Sequence, residues 1–363
     1  MPVTTRRFPI SLVMIVRDEE ATLGRCLGSI HGLVDEIVVV DTGSTDRTVE
    51  IAESYGAVVS HFTWVDDFAA ARNFSLAQAT HPWRIILDAD DWVLDREQAS
   101  TILAEIGSRA PTFIGAIGSV QVREDGSLNT DAEPFDVPRL LPREATYTGR
   151  IHEQPVPDLP VVRLGLLVGH SGYTGAALAR KGDRNAALLT AAIEAEPDNA
   201  YLWYQLGSEY VVRRGHEEAL PYLVACYNLL HPENAEPEPL RTWSPRLVQR
   251  LILALTATGH HEDAVALGAA EAGTWSDSSD FHYVYGQAQR ALALSLLDRD
   301  EARAAQLVAS SLQLWLQAVE LGDRPEYSGV LAQRATVMAA RLVADDYETM
   351  GRAEEAARYR AIA

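Results

Sequence analysis

The chain has 363 residues, 47% of them hydrophobic, with 51 acidic against 31 basic side chains and a formal net charge of −20. That much apolar material supports real cores and speaks against wholesale disorder. The acidic balance, with no Lys/Arg-rich tract, sets aside nucleic acid and anionic membrane as partners, and two cysteines, Cys26 and Cys226, are no disulfide framework.

The first apolar run, Ile10–Val16, ends at Arg17-Asp18-Glu19-Glu20. It is too short for a signal-peptide core or a membrane span, so a cytoplasmic protein without a span is expected. Its continuous apolar character, apart from Ser11, is the pattern of a strand buried on both faces. Leu23, Leu27 and Ile30 follow at helical spacing, with Cys26 on the same buried side. Ile37–Val40 reads as a second strand, followed by a turn at Gly43-Ser44-Thr45-Asp46 and a helix to Ser54. Ala57–Ser60 is a third strand, Phe68–Ala79 a helix, Trp83–Leu87 a fourth strand, and a helix is expected over Trp92–Ile106. This alternation predicts a parallel sheet covered by helices, with ligands outside the carboxyl ends of the strands. The acidic clusters fall at those ends: Asp18-Glu19-Glu20, Asp41, and Asp88-Ala89-Asp90-Asp91.

Around Gly182 the texture changes to Ala/Leu-rich helical periods, which divides the chain into an α/β domain over 1–182 and an all-α domain over 183–363. Within Ala200–Pro232, Trp203, Leu206, Gly207, Tyr210, Ala219 and Tyr222 stand at offsets close to the tetratricopeptide pattern. Fainter echoes occur at Leu251–Ala264 and Tyr347–Ala356, so three or four helix pairs are expected, with Pro232–Pro245 as a loop. Trp203 and Tyr210 are read as packing between paired helices. Stacked pairs form a concave surface that suits an extended peptide or a second protomer, hence a homodimer through the repeats.

Three carboxylates in Asp88-Ala89-Asp90-Asp91 repel one another unless a cation sits among them. An oxygen-ligated divalent ion would offset that repulsion and bridge to a diphosphate. The competing explanation is a cap for the helix expected from Trp92, but a cap needs one carboxylate. Asp41, at a strand end before a glycine turn, is placed to accept hydrogen bonds from a base N–H or a ribose hydroxyl.

In order and spacing, the opening strand with Val16-Arg17-Asp18-Glu19-Glu20, then Asp35 to Asp46, Phe68, Arg72-Asn73 and Ile86 to Asp91 resemble the family-2 glycosyltransferases of the GT-A fold. Asp18 stands where the family usually has Asn. The resemblance covers about the first 180 residues and implies a mixed Rossmann-like sheet and a UDP-sugar donor. It implies that Asp41 holds the base, Glu20 lies near the ribose, and Arg72 and Asn73 approach the nucleotide or its diphosphate. Asp88 would face ribose or sugar, with Val16 and Ala89 lining the donor site, and Asp90 would ligate Mg²⁺ or Mn²⁺. One cation plus Arg72 would neutralise the diphosphate.

Downstream, Arg139-Leu140-Leu141 and Gly149-Arg150-Ile151-His152-Glu153-Gln154-Pro155 resemble the acceptor-side segment of a subgroup of these enzymes. Inverting transfer needs a base on the acceptor's side, and Glu153 is the candidate. His152, if on a strand, would face the other way. Val162, Leu164, Leu166 and Val168 alternate along one strand face that His170 continues, and His170 is the candidate that completes the metal shell. The coupling to repeats resembles the bacterial peptide S-glycosyltransferases of glycosylated bacteriocins, which implies a hexose passed to a Cys, Ser or Thr of a peptide or protein. Transfer to a surface polysaccharide or lipid-linked glycan, nucleotidyl transfer, and a repeat scaffold with an inactive catalytic domain are the alternatives.

Overall fold

The computed structural model describes residues 8–123, 125–129, 134–172, 175–213, 215–232, 240–241, 243–323, 331 and 334–363, with the backbone alone over 175–183. The chain falls into two compact units, Met1–Leu188 and Leu189–Ala363. Among the described residues no helix is long and apolar enough to cross a membrane.

In the first unit, β1 (Ile10–Val16), β2 (Glu36–Asp41), β3 (Val58–His61) and β4 (Trp83–Ile86) alternate with α1 (Leu23–Ile30), α2 (Thr48–Ser54) and α3 (Phe68–Gln78). These strands pair in parallel in the order β3-β2-β1-β4, with Val16 opposite Asp41 and Asp41 opposite His61. The period of two along each strand divides the core into two layers. Ile10, Leu12, Met14 and Val16 pack with Ile37, Val39, Trp83 and Ile85 against α1 and against α4 (Arg96–Ile106). Val13, Val38 and Ile86 face the other way, onto Ala69 and Leu76 of α3. Both faces are covered, so the strand is apolar except at Ser11, whose buried hydroxyl donates to Glu36.

Beyond β4 the sheet becomes mixed. β7 (Phe135–Pro142) is antiparallel to β4 and β6 (Ile114–Gln121), β10 (Val161–His170) runs parallel to β6, and β5 (Asp91–Val93) closes the edge antiparallel to β10. A short hairpin of β8 (Thr146–Thr148) and β9 (Gln154–Val156) forms a second sheet. The helix expected to start at Trp92 starts at Arg96 instead. Trp92 pairs with Gly169 in a strand, and Asp95 caps α4 by accepting from the Gln98 N–H. His152 is likewise not on a strand: it holds a φ of 53° in the turn between β8 and β9.

α5 (Gly175–Ala195) follows β10. In the second unit, α6 (Ala200–Arg213) and α7 (His216–Leu230), α8 (Ser244–Ala257) and α9 (His261–Glu271), α10 (Ser279–Leu296) and α11 (Glu301–Leu321), and α12 (Ala335–Thr349) and α13 (Ala353–Arg360) form successive helix pairs. Tyr210 stacks on Tyr222 across the first pair at 5.0 Å, and the Trp203 ring lies 6.4 Å from the same tyrosine, the packing role expected of both. The pair α10–α11 carries no tetratricopeptide echo in sequence. Most of the loop expected over Pro232–Pro245 lies outside the described residues, and α8 begins within it at Ser244.

Candidate active site

The parallel strands β1, β2 and β4 end together, and two loops meet there. Asp18 accepts from the Thr45 N–H at 2.7 Å and gives its own N–H to Ser44 Oγ at 2.9 Å. Glu20 receives the Arg47 N–H and donates its own N–H to Asp46, while the Val16 carbonyl accepts from both the N–H and the hydroxyl of Thr42. Reciprocal side-chain bonds thus tie the β1 loop to the β2 loop.

Asp41 is 4% exposed, and its oxygens accept from the Gly43 and Ser44 N–H groups and lie 3.3 Å from His61 Nδ1. Burial opposes its ionisation, but the hydrogen bonds from Ser44, Gly43 and His61 outweigh it and hold the carboxyl below its ordinary range.

The turn Asp88-Ala89-Asp90-Asp91 sorts its three carboxylates. The Asp91 N–H donates to the Asp88 carbonyl, and the Asp88 N–H donates to Asp91 Oδ2 at 2.9 Å. Asp91 Oδ1 lies 2.8 Å from His170 Nδ1, and Asp90 Oδ1 lies 3.5 Å from the same nitrogen. Ligand atoms of Asp90, Asp91 and His170 fall within 4.8 Å of one another, with Asp90 8% and Asp91 3% exposed. Burial disfavours the imidazolium, but the Asp91 hydrogen bond and the Asp90 charge overcome it and raise the His170 pKa. Two buried carboxylates and an imidazole are a donor set that suits Mn²⁺ or Mg²⁺, so the residues fit a divalent cation.

Asp88 goes elsewhere. Arg72 Nη2 donates to its Oδ1 at 2.7 Å, Arg139 Nη2 donates to its Oδ2 at 2.5 Å, and Arg72 Nε donates to Glu153 Oε1 at 2.8 Å. Burial alone would push Asp88 up, yet Arg139 and then Arg72 hold it well below the usual carboxylate range. Arg72 is buried and serves two carboxylates, Asp88 and Glu153. Asn73 gives Nδ2 to the Tyr147 carbonyl at 2.8 Å and accepts the Tyr147 N–H at 2.7 Å, so both ends of its amide hold β8. Ala89 is buried inside the turn.

Sequence reasoning missed the separate place of Asp91 beside His170 and the contact of Arg139. Asp91 was visible as one of three adjacent carboxylates; nothing local marks Arg139 as a partner of Asp88. Asp67 caps α3 by accepting from the Ala70 N–H.

Residues 11–140 match the family described as glycosyl transferase family 2. Over those residues the chain is similar to that family. A TPR repeat-containing protein of Synechococcus elongatus is 33% identical over 250 residues, which cover 61% of this chain and 60% of that protein. The SPbeta prophage-derived glycosyltransferase SunS of Bacillus subtilis is 29% identical over 229 residues, 60% of this chain and 53% of its own. The shared region thus spans a little over half the length of these curated relatives. The crystal structure of MamA overlaps 50% of this chain and 87% of its own at 15% identity, with a TM-score of only 0.36. The order of elements is a mixed α/β sheet with its helices, followed in sequence by all-α helix pairs.

Proposed function

We propose that the protein moves a hexose from a UDP-sugar, with inversion, to a Cys, Ser or Thr side chain of a peptide or protein, and that Mg²⁺ or Mn²⁺ is required. The observation that carries this reading is the convergence of Asp90, Asp91 and His170 within 4.8 Å in a family-2 domain. The helix pairs joined to that domain favour a peptide over a small acceptor, because stacked pairs offer an extended surface.

In this reading Asp90 and His170 hold the cation, with Asp91 completing the acidic donor set beside them. Charge on the departing diphosphate is neutralised there. Asp41 and Glu20 bind the nucleoside, with Val16 and Ala89 alongside. Asp88 faces ribose or sugar, Asn73 secures β8, and Arg72 fixes Glu153 beside Asp88. The acceptor oxygen or sulfur forms a bond to the anomeric carbon as the bond to the diphosphate breaks on the opposite face. Glu153 takes the acceptor's proton. A thiol acceptor, partly ionised already, leans on that base less than a hydroxyl does.

The test is release of free nucleoside diphosphate from a panel of UDP-, GDP- and dTDP-sugars with Mn²⁺, Mg²⁺ or chelator. Metal-dependent release of UDP is expected, reduced by about 10²–10³-fold in Asp90→Ala. Cys- and Ser-containing peptides, scored by mass gain, then identify the acceptor. No release and no thermal stabilisation by any nucleotide would sink the proposal.

A further inference from the structure

We propose that Arg139 is a positioning residue that sets the charge of the Asp88–Asp91 turn for one divalent cation, keeping Asp88 out of the ligand set. The proposal rests on the reading of Asp90, Asp91 and His170 as a cation site.

The fold delivers Arg139 to this place. β7 runs antiparallel to β4 with Leu141 opposite Arg84 and Leu140 opposite Ile85, so Arg139 lies at the carboxyl end of β4, where the turn begins. There its guanidinium takes Asp88 Oδ2 while Arg72 takes Oδ1. Both oxygens of Asp88 are directed at guanidinium groups, and its N–H is given to Asp91. Arg72 divides its charge between Asp88 and Glu153. It cannot balance both, so the second arginine is what matches Asp88.

Counting charge in the cluster makes the consequence concrete. Asp88, Asp90, Asp91 and Glu153 stand against Arg72 and Arg139, which leaves two negative charges with His170 neutral. One divalent cation cancels that. Without Arg139 the excess would be three, and Asp88 would turn its lone pairs loose beside Asp91. Arg25 is exposed where it stacks on Trp92 and bonds Ser171, so solvent screens it.

Charge and coordination are separable by a mutant cycle. Chelator-stripped full-length protein is titrated with Mn²⁺, and free ion is read by electron paramagnetic resonance. Wild type is expected to take up one Mn²⁺. Arg139→Ala adds a unit of negative charge near the ion and should bind about tenfold more tightly. Asp88→Asn removes one and should bind about tenfold more weakly. The double variant should return to wild type, because Asp88 acts through its charge. Asp90→Asn loses a ligand, so Arg139→Ala should not restore its binding.

Arg139→Lys, which keeps the charge, should stay near wild type. Should Arg139→Ala fail to fold, Arg139→Gln gives the same comparison with the side-chain length preserved. An Arg139 that merely braced the fold would give unchanged or weaker Mn²⁺ binding on removal, and either result overturns the proposal. So does an Asp88→Asn defect that Arg139→Ala leaves uncorrected. A wild-type protein that binds no Mn²⁺ would remove the cation site itself and this inference with it.

Discussion

Asn73 shows how one side chain fixes a neighbouring stretch of backbone. Its amide bonds the Tyr147 N–H and carbonyl together, so Asn73→Ala strands two backbone groups beside the mostly buried ring of Tyr147. An unsatisfied buried group costs about 1–3 kcal/mol, and the denaturant midpoint should fall accordingly. Asn73→Asp keeps the acceptor for the Tyr147 N–H and loses the donor, so a smaller drop is expected. An Asn73→Ala protein of unchanged stability but weakened nucleotide binding would return the residue to the role the family resemblance implies. The carboxylate turn teaches the same lesson. Asp88, Asp90 and Asp91 are alike in sequence, and their chemistry is legible there only as a group. What separates them is supplied by Arg72, Arg139 and His170, brought in from α3, β7 and β10.

Elements were legible where their own period is strong. β1, α1, β2 and α3 sit within a few residues of expectation, because buried strands and amphipathic helices each write their contacts into local pattern. β5 does not. Its three residues are a strand only because β10 lies beside them, and an Asp-Trp-Val segment next to a good helix reads as that helix's first turn. The close fit of β5 on β10 rests on Gly169, where a Cβ would come within 2.4 Å of the Trp92 ring. Gly169→Ala should therefore overpack the pair and destabilise the first unit by about 1–3 kcal/mol. Because His170 is the next residue, Mn²⁺ affinity should weaken as well. Calorimetry and the Mn²⁺ titration check this together; a variant that melts and binds as wild type would mean that Trp92 moves aside without cost. The pair α10–α11 was illegible for a different reason: its contacts are made by Gly286 against Trp315, outside the tetratricopeptide spacing.

Across the whole molecule, three buried or half-buried histidines are expected to weaken the fold toward acid. His152, His216 and His282 are all pushed down, first by burial, with Arg250 adding to the effect at His216. His282 is the clearest: Nε2 pairs with the Ser276 carbonyl at 2.9 Å while buried Nδ1 has no hydrogen-bond partner, so a second proton has nowhere favourable to go. A group whose folded pKa is depressed binds fewer protons folded than unfolded. Its contribution is complete above the unfolded value, about 6.5 for histidine, and is lost as pH falls through the folded value. His170, raised, and Glu209, raised by burial, have the opposite sign: each contribution is complete below its unfolded value and lost as pH rises through the folded one. Asp88, Asp41 and Glu36 are lowered and join the histidines, but only further into acid. Three depressed histidines against one raised predict that the urea midpoint of metal-free protein falls between pH 7.5 and 5.5. His282→Gln, which has no proton to gain, should lose part of that slope in the second unit and keep it in the first. An equal slope in wild type and variant would place the acid sensitivity elsewhere, and a midpoint that rises toward pH 5.5 would make His170 the dominant titrating group.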